Sequence, residues 1–160
     1  MRRIACILLL LLSACDGTDE AAHCLFQVAA GDEPSRVASL GSDDGGFTPY
    51  AEGGSVSLVY GQQGGLMITP RVGVPAGAED PETLCGTLTI TSYMDGATTP
   101  AERLQEVLLL RRSGDLYRSA RMQQFLGYSE SELVGHTLTM TTELVTSAFV
   151  ASGSVSVELQ

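Results

Sequence analysis

Thr137-Leu138-Thr139-Met140-Thr141-Thr142-Glu143-Leu144-Val145 is followed, after a short break, by Phe149-Val150-Ala151-Ser152-Gly153-Ser154-Val155-Ser156-Val157-Glu158-Leu159-Gln160. No other part of the chain alternates so regularly. Leu138, Met140 and Leu144 share one side of an extended backbone, and Thr137, Thr139, Thr141 and Glu143 the other. Val155, Val157 and Leu159 alternate in the same way with Ser154, Ser156 and Glu158. Successive strand side chains point to opposite faces, so each segment has one dry and one wet face, as in antiparallel sheets. The connection is too short for anything but antiparallel neighbours. The inward set of this hairpin is Leu138, Met140, Leu144, Phe149, Val155, Val157 and Leu159.

Working outward, the same period of two returns. Val56, Leu58 and Tyr60 alternate with Ser55, Ser57 and Val59, and Leu88 and Ile90 with Thr87, Thr89 and Thr91. Gly-rich turn signals punctuate the chain at Asp43-Asp44-Gly45-Gly46, Gly53-Gly54, Gly61 to Gly65, Asp95-Gly96, Ser113-Gly114 and Ser152-Gly153. Short strands at this spacing predict an all-β fold, an antiparallel β-sandwich of about seven to nine strands over residues 24–160. One segment disputes it. Thr99-Pro100-Ala101-Glu102 has a capping-box pattern with Pro at the first helical position, and Leu104, Val107 and Leu108 follow at helical spacing. Against that, Val107 to Arg112, Ser113-Gly114-Asp115 and Leu116 to Phe125 read as a hairpin. Strand is the favoured reading, with one short helix over 100–111 left open. Ser129 to Leu133 reads as a single helical turn capped by Ser129.

The N-terminus carries an address. Arg2 and Arg3 precede an unbroken apolar run, Ile4 to Leu12, and the small residues Ser13-Ala14 precede Cys15. That order is a secretory signal. The run would be about 14 Å long as a helix, too short for a hydrocarbon core of roughly 30 Å. Leu12-Ser13-Ala14-Cys15 resembles the lipobox of bacterial lipoproteins. The resemblance implies removal of residues 1–14, lipid on Cys15 and a membrane anchor in the bacterial cell envelope. Asp16 follows the cysteine, a residue that favours inner-membrane retention in enteric bacteria; which membrane and leaflet stays open. Residues 15–23, with the lipidated cysteine, form a short acidic tether; the eight residues after Cys15 reach under roughly 30 Å.

Residues 15–160 hold seven arginines, no lysine and nineteen acids. Nucleic-acid binding needs clustered cations to neutralise phosphate, so nucleic acid is excluded as a partner, and the same totals argue against general attraction to anionic headgroups. With Cys6 in the signal and Cys15 taking lipid, Cys24 and Cys85 remain, and an oxidising compartment predicts a disulfide between them. Parity complicates it: if Leu84, Leu88 and Ile90 face inward, Cys85 faces outward. Either Gly86 marks a bulge, or the bridge pins the N-terminal segment to the outer face.

Two stretches look familiar. Phe47-Thr48-Pro49-Tyr50 through Gly53, Leu58-Val59-Tyr60-Gly61, Gln63-Gly64-Gly65 and Arg71 resembles a pattern in uncharacterised envelope lipoproteins of myxobacterial type. Those relatives usually carry a His after the paired glycines, where Leu66 and Met67 stand here. Leu133-Val134-Gly135, Thr137 to Val145 and Phe149 to Leu159 resembles the last two strands of immunoglobulin-like sandwiches. The resemblance implies an immunoglobulin-like fold and an envelope location, and brings no activity with it.

The chemical constellations reduce to structure. Gly61-Gln62-Gln63-Gly64-Gly65 lacks the Gly-Lys-Ser/Thr of a phosphate loop and reads as a hairpin turn. Gly127-Tyr128-Ser129-Glu130-Ser131 misses the last glycine of a nucleophile elbow. His23 lies in the tether and His136 opens a strand, neither with an identifiable nucleophile. His136 and Met140 suit copper chemically, but four strand residues separate them by about 13 Å. Asp43, Asp44 and Asp95 lack a calcium-loop ladder and read as solvated turns; Glu79-Asp80 and Glu82 read as an exposed acidic loop. No catalytic, cofactor-binding or metal-binding residue is assigned. The expectation is a non-enzymatic envelope module binding a protein or a glycan. The alternatives are a structural lipoprotein without a discrete ligand, and a small hydrolase whose site is invisible in sequence.

Overall fold

The computed structural model describes residues 24, 34–43 and 45–160. The export signal 1–14, Cys15, His23 and the rest of the tether, and Asp44 lie outside the described residues. Thirteen strands are described: β1 Arg36–Val37, β2 Ser39–Ser42, β3 Thr48–Pro49, β4 Gly54–Val56, β5 Val59–Tyr60, β6 Leu66–Ile68, β7 Arg71–Pro75, β8 Thr83–Met94, β9 Glu102–Ser113, β10 Leu116–Arg118, β11 Gln124–Phe125, β12 Thr137–Thr146 and β13 Val150–Leu159. A 3-10 turn, Glu130–Glu132, follows β11, led by Ser129 as read from sequence. One curled sheet runs β1-β13-β12-β8-β9-β10-β7-β2-β3, with β4 also beside β13, and a small second sheet runs β11-β6-β5.

The all-β sandwich expectation is met. The C-terminal hairpin pairs antiparallel from Thr137↔Glu158 to Val145↔Val150, and all seven of its inward side chains are buried. They meet Leu88, Ile90, Leu110 and Tyr117, each 0% exposed. The immunoglobulin-like order is not seen. One sheet curls over its own inner face, and β1 and β4 join β13 in parallel. The strand count also exceeds the expected seven to nine, because four strands are only two residues long. Two-residue strands carry no alternation for a sequence pattern to detect.

Residues 102–111 are strand. β9 pairs with β8 without a break from Thr83↔Arg111 to Ser92↔Glu102. Leu108 and Leu110 point inward, whereas Val107, which a helix would have buried beside Leu104 and Leu108, is 40% exposed. Continuous pairing with β8, joined by β10 at Arg111 to Ser113, outweighs local helix signals.

Three local readings are corrected. Ser55 to Tyr60 is not one strand: Val56 is buried beside β13, but the Leu58 N–H donates to the Gln160 carbonyl and the chain passes to the small sheet, leaving Tyr60 64% exposed. The arm from Leu116 to Phe125 pairs with β9 only as far as Arg118; beyond it the chain follows β7 and then β6. Ser152-Gly153 is no turn but the interior of β13. Glycine stands there because Ala38 of the neighbouring chain comes so close that a Cβ would lie 1.9 Å from its carbonyl oxygen. Gly86 likewise marks no bulge: the β8–β9 register is continuous through it, and a Cβ would meet Leu144 Cδ1 at 2.8 Å.

Candidate functional site

Of the cysteines, Cys24 and Cys85 are joined, with Cα atoms 5.2 Å apart. Cys85 shares the outer face of β8 with Thr87, Thr89 and Thr91, since no bulge shifts its register. The bridge therefore ties the N-terminal segment to the outside of the sheet, the second of the two alternatives above. Cys24 Sγ lies 3.7 Å from the Leu108 carbonyl oxygen, above the β8–β9 pair.

The structure unites His136 and Asp95, which the sequence had placed in separate candidate metal sites. His136 Nδ1 lies 2.6 Å from Asp95 Oδ2, and Asp95 Oδ1 accepts the Thr137 N–H at 3.0 Å. The contact with His136, then the Thr137 bond, holds the Asp95 carboxyl below its usual range. The pair ties the turn after β8 to the start of β12. Met140 is core. Asp43 is elsewhere, ion-paired with Arg71. Among the described residues no three His, Cys, Asp or Glu are arranged to hold a metal ion. Ser129 stands at the start of the turn, where its N–H and its hydroxyl both donate to the Glu132 carboxylate, at 2.9 and 2.5 Å.

Asp80 corrects the reading of an exposed acidic loop. Glu79 and Glu82 are exposed, but the Asp80 carboxylate takes both terminal nitrogens of Arg36 and the Gly77 N–H. Arg36 also stacks 4.1 Å from the centre of the Phe149 ring. The Arg36 contact, then the Gly77 bond, lowers the Asp80 pKa from 3.8 to about 2. The Tyr117 hydroxyl donates to the Pro81 carbonyl, and Arg112 donates to the Asp80 carbonyl at 2.9 Å. This is a clamp holding the 76–82 loop onto β1.

The surface that departs from the wet-face rule is the small sheet. Its inner face puts Leu66, Ile68 and Gln124 into the core. On its outer face Val59, Met67 and Phe125 are cross-strand neighbours in one row, with Met67 in the middle buried at 8% exposure. Val59 is 37% and Phe125 45% exposed. The Phe125 ring lies on Gly61 and Gly65, where an added Cβ would come within 2.8 and 3.2 Å of it. Tyr60, at the sheet's edge, is held by a 2.7 Å bond from its hydroxyl to Glu130, which raises its pKa. Beside Val59 opens a groove of about 530 Å³ lined by Thr48, Tyr50, Val56, Ser57, Thr69 and Arg121, among others. An apolar row beside a groove of mixed hydroxyl, aromatic and guanidinium character can hold a ligand by burial and hydrogen bonds.

Sequence reading missed this surface. The stretch from Phe47 to Val59 was noticed as a pattern, and several of its residues line the groove, but Tyr60 was placed with the inward residues. Phe125 was taken as the end of a hairpin arm. The available signal was the trio Gly61, Gly65 and Phe125, two bare backbones and one ring, which only topology unites.

No family model matches the chain, and no curated protein does. Among solved structures it is similar to the CooA pilin subunit from enterotoxigenic Escherichia coli, at 13% identity, covering 78% of this chain and 97% of that chain, with a TM-score of 0.36. A likeness this distant fixes neither family nor function.

Proposed function

We propose that the chain is a bacterial envelope lipoprotein, anchored by lipid on Cys15, whose domain is a non-enzymatic module holding an envelope protein or glycan. The observation that carries the binding reading is the exposed pair Val59 and Phe125, on either side of the buried Met67 in one cross-strand row, beside the groove at Tyr50 and Val56. Contiguous exposed apolar surface rimmed by polar residues marks interaction sites on soluble domains, and aromatic anchors dominate their energetics. The lipobox at Leu12–Cys15 supports the anchor, and the Cys24–Cys85 bridge suits an oxidising compartment.

The test uses the lipidated protein in its native envelope, with a photo-crosslinking side chain at position 125 and, as control, at exposed position 154 on the hydroxyl-rich face. A discrete adduct is expected from 125 and lost when Val59→Ser and Tyr50→Ala are combined. Equal adducts from both positions, or none from 125, would count for a structural lipoprotein instead. For the anchor, Cys15→Ser should leave the precursor unprocessed; a water-soluble mature form with unmodified Cys15 would refute it.

A further inference from the structure

The two neighbours of β9 are unequal. β8 follows it from Arg111 back to Glu102, whereas β10 lies beside it only at Arg111 to Ser113. Among the described residues no strand pairs with Glu102 to Leu110 on the side away from β8. The direction of each peptide group follows from the end of the ladder. The Arg112 N–H donates to the Glu82 carbonyl at 2.8 Å, so by alternation Leu110, Leu108, Glu106 and Leu104 also turn their N–H and C=O groups to β8. Arg103, Gln105, Val107 and Leu109 turn theirs the other way. There the Arg103 N–H donates to the carboxylate of its own neighbour, Glu102 Oε1, at 3.0 Å. Arg103 and Gln105 are exposed and Val107 is 40% exposed, as an open edge requires.

A row of N–H and C=O groups without a strand beside it is a template for another strand, and the side chains along it decide which. Glu102, Leu104 and Glu106 share one face, opposite Ser92, Ile90 and Leu88 of β8. Leu104 packs against the core with a carboxylate on either side, and all three side chains are only half-buried. Arg103 projects on the other face, with Gln105 and Val107. Like charges directly opposite each other are destabilising. Two copies paired antiparallel about Leu104 would set Glu102 against Glu106, and paired about Glu106 would set that residue against itself. The same carboxylates that keep copies apart select a partner of opposite charge. This chain does not supply one: outside the described residues it has two arginines, Arg2 and Arg3 of the export signal, and no lysine. We propose that the open edge of β9 takes a strand of a basic partner protein, an extended segment with Lys or Arg at two positions four apart and an apolar residue midway. Its backbone bonds to Gln105, Val107 and Leu109, its cations meet Glu106 and Glu102, and its apolar residue covers Leu104. The Arg103 N–H then exchanges the Glu102 carboxylate for a strand carbonyl. This surface is separate from the small sheet and does not rest on the groove at Tyr50.

The experiment follows amide hydrogen exchange residue by residue, by nuclear magnetic resonance, on the mature protein with its disulfide intact in nonionic detergent. The probe is the end-blocked peptide Thr-Lys-Thr-Val-Thr-Lys-Thr. Without it, the amides of Gln105, Val107 and Leu109 should exchange fast, and those of Glu106, Leu108 and Leu110 slowly. With the peptide at ten times its Kd, the first three should slow about tenfold. Glu102→Gln/Glu106→Gln together should weaken binding about tenfold, the factor for two exposed ion pairs. Val107→Pro should abolish binding yet leave Leu108 and Leu110 protected, because a proline whose nitrogen faces an open edge forfeits no ladder bond. If that variant loses the ladder, the glutamine pair decides alone. Slow exchange at Gln105, Val107 and Leu109 in the peptide-free protein would show the edge already paired and overturn the proposal. So would equal binding of Thr-Lys-Thr-Val-Lys-Thr-Thr, whose lysines stand on opposite faces, or an unchanged Kd in the glutamine pair. Protection confined to Val59 and Phe125 would move the peptide to the small sheet and overturn the edge as its site.

Discussion

Gly153→Ala is the smallest change that should measurably loosen this fold. The added Cβ would lie 1.9 Å from the Ala38 carbonyl oxygen and 3.0 Å from its carbon. Carbon–oxygen contacts settle near 3.3 Å, so the strand beside β13 must withdraw by about 1.4 Å. That displacement breaks the bonds from Ala38 N–H to the Ser152 carbonyl, 2.9 Å, and from Ser35 N–H to the Val150 carbonyl, 2.8 Å. It also drags Arg36 from Asp80 and Phe149. With about 1 kcal/mol per bond, and more where a buried group is left unpaired, the loss should be about 2–4 kcal/mol. For a domain near 150 residues that is a fall in Tm of about 5–15 °C. The matched control is Gly127→Ala, where a Cβ meets nothing within 4 Å; it should be neutral or slightly stabilising. Both are read by calorimetry and far-ultraviolet circular dichroism on the oxidised mature chain. If Gly153→Ala melts within about 2 °C of wild type, β1 is not held where the structure puts it.

Reducing the Cys24–Cys85 bridge, which closes a separation of 61 residues, should remove about 4 kcal/mol on the chain-entropy account; peptide mapping that recovers both as free thiols from fresh envelope would refute the pairing. Asp80 titrates below its unfolded value, so its contribution is whole above pH of about 4 and fades as pH falls towards 2. Asp80→Asn should lower Tm at neutral pH and flatten the acid limb between those values, and an unchanged limb would count against the clamp. Truncation after Ser147 removes β13, the partner of β1, β4 and β12. It also exposes the surfaces covered by Phe149, Val155, Val157 and Leu159, about 1.5–3 kcal/mol each. Cooperative unfolding should vanish, while Ser154→Ala should change little; a sharp transition near the full-length temperature would sink that view.

The long strands were legible because alternation over ten or more residues is hard to produce otherwise. Thr137 to Val145 and Phe149 to Leu159 needed nothing beyond their own pattern. The helix signal at Thr99–Glu102 left the favoured strand reading contested because capping chemistry is local, whereas the pairing partners of β9 are Thr83 to Ser92 and Leu116 to Arg118. Gly153 shows the converse error. A glycine beside a serine looks like a turn, and the backbone that actually requires it belongs to Ala38, 115 residues away in sequence. The surface at Phe125 was hidden for the same reason, since only topology brings its ring onto Gly61 and Gly65.

The bridge between Cys24 and Cys85 has a mechanical consequence. A pull along the N-terminal chain does not reach the domain through β1, the two-residue edge strand that follows. It enters at Cys85, near one end of β8, which is zipped on both sides to β9 and β12. Load spread over two long ladders must shear many hydrogen bonds together, whereas load on β1 would peel its few contacts one by one. With the disulfide intact the edge strand is slack under tension; with it reduced, the same force would unzip β1 first and free Arg36 from its clamp.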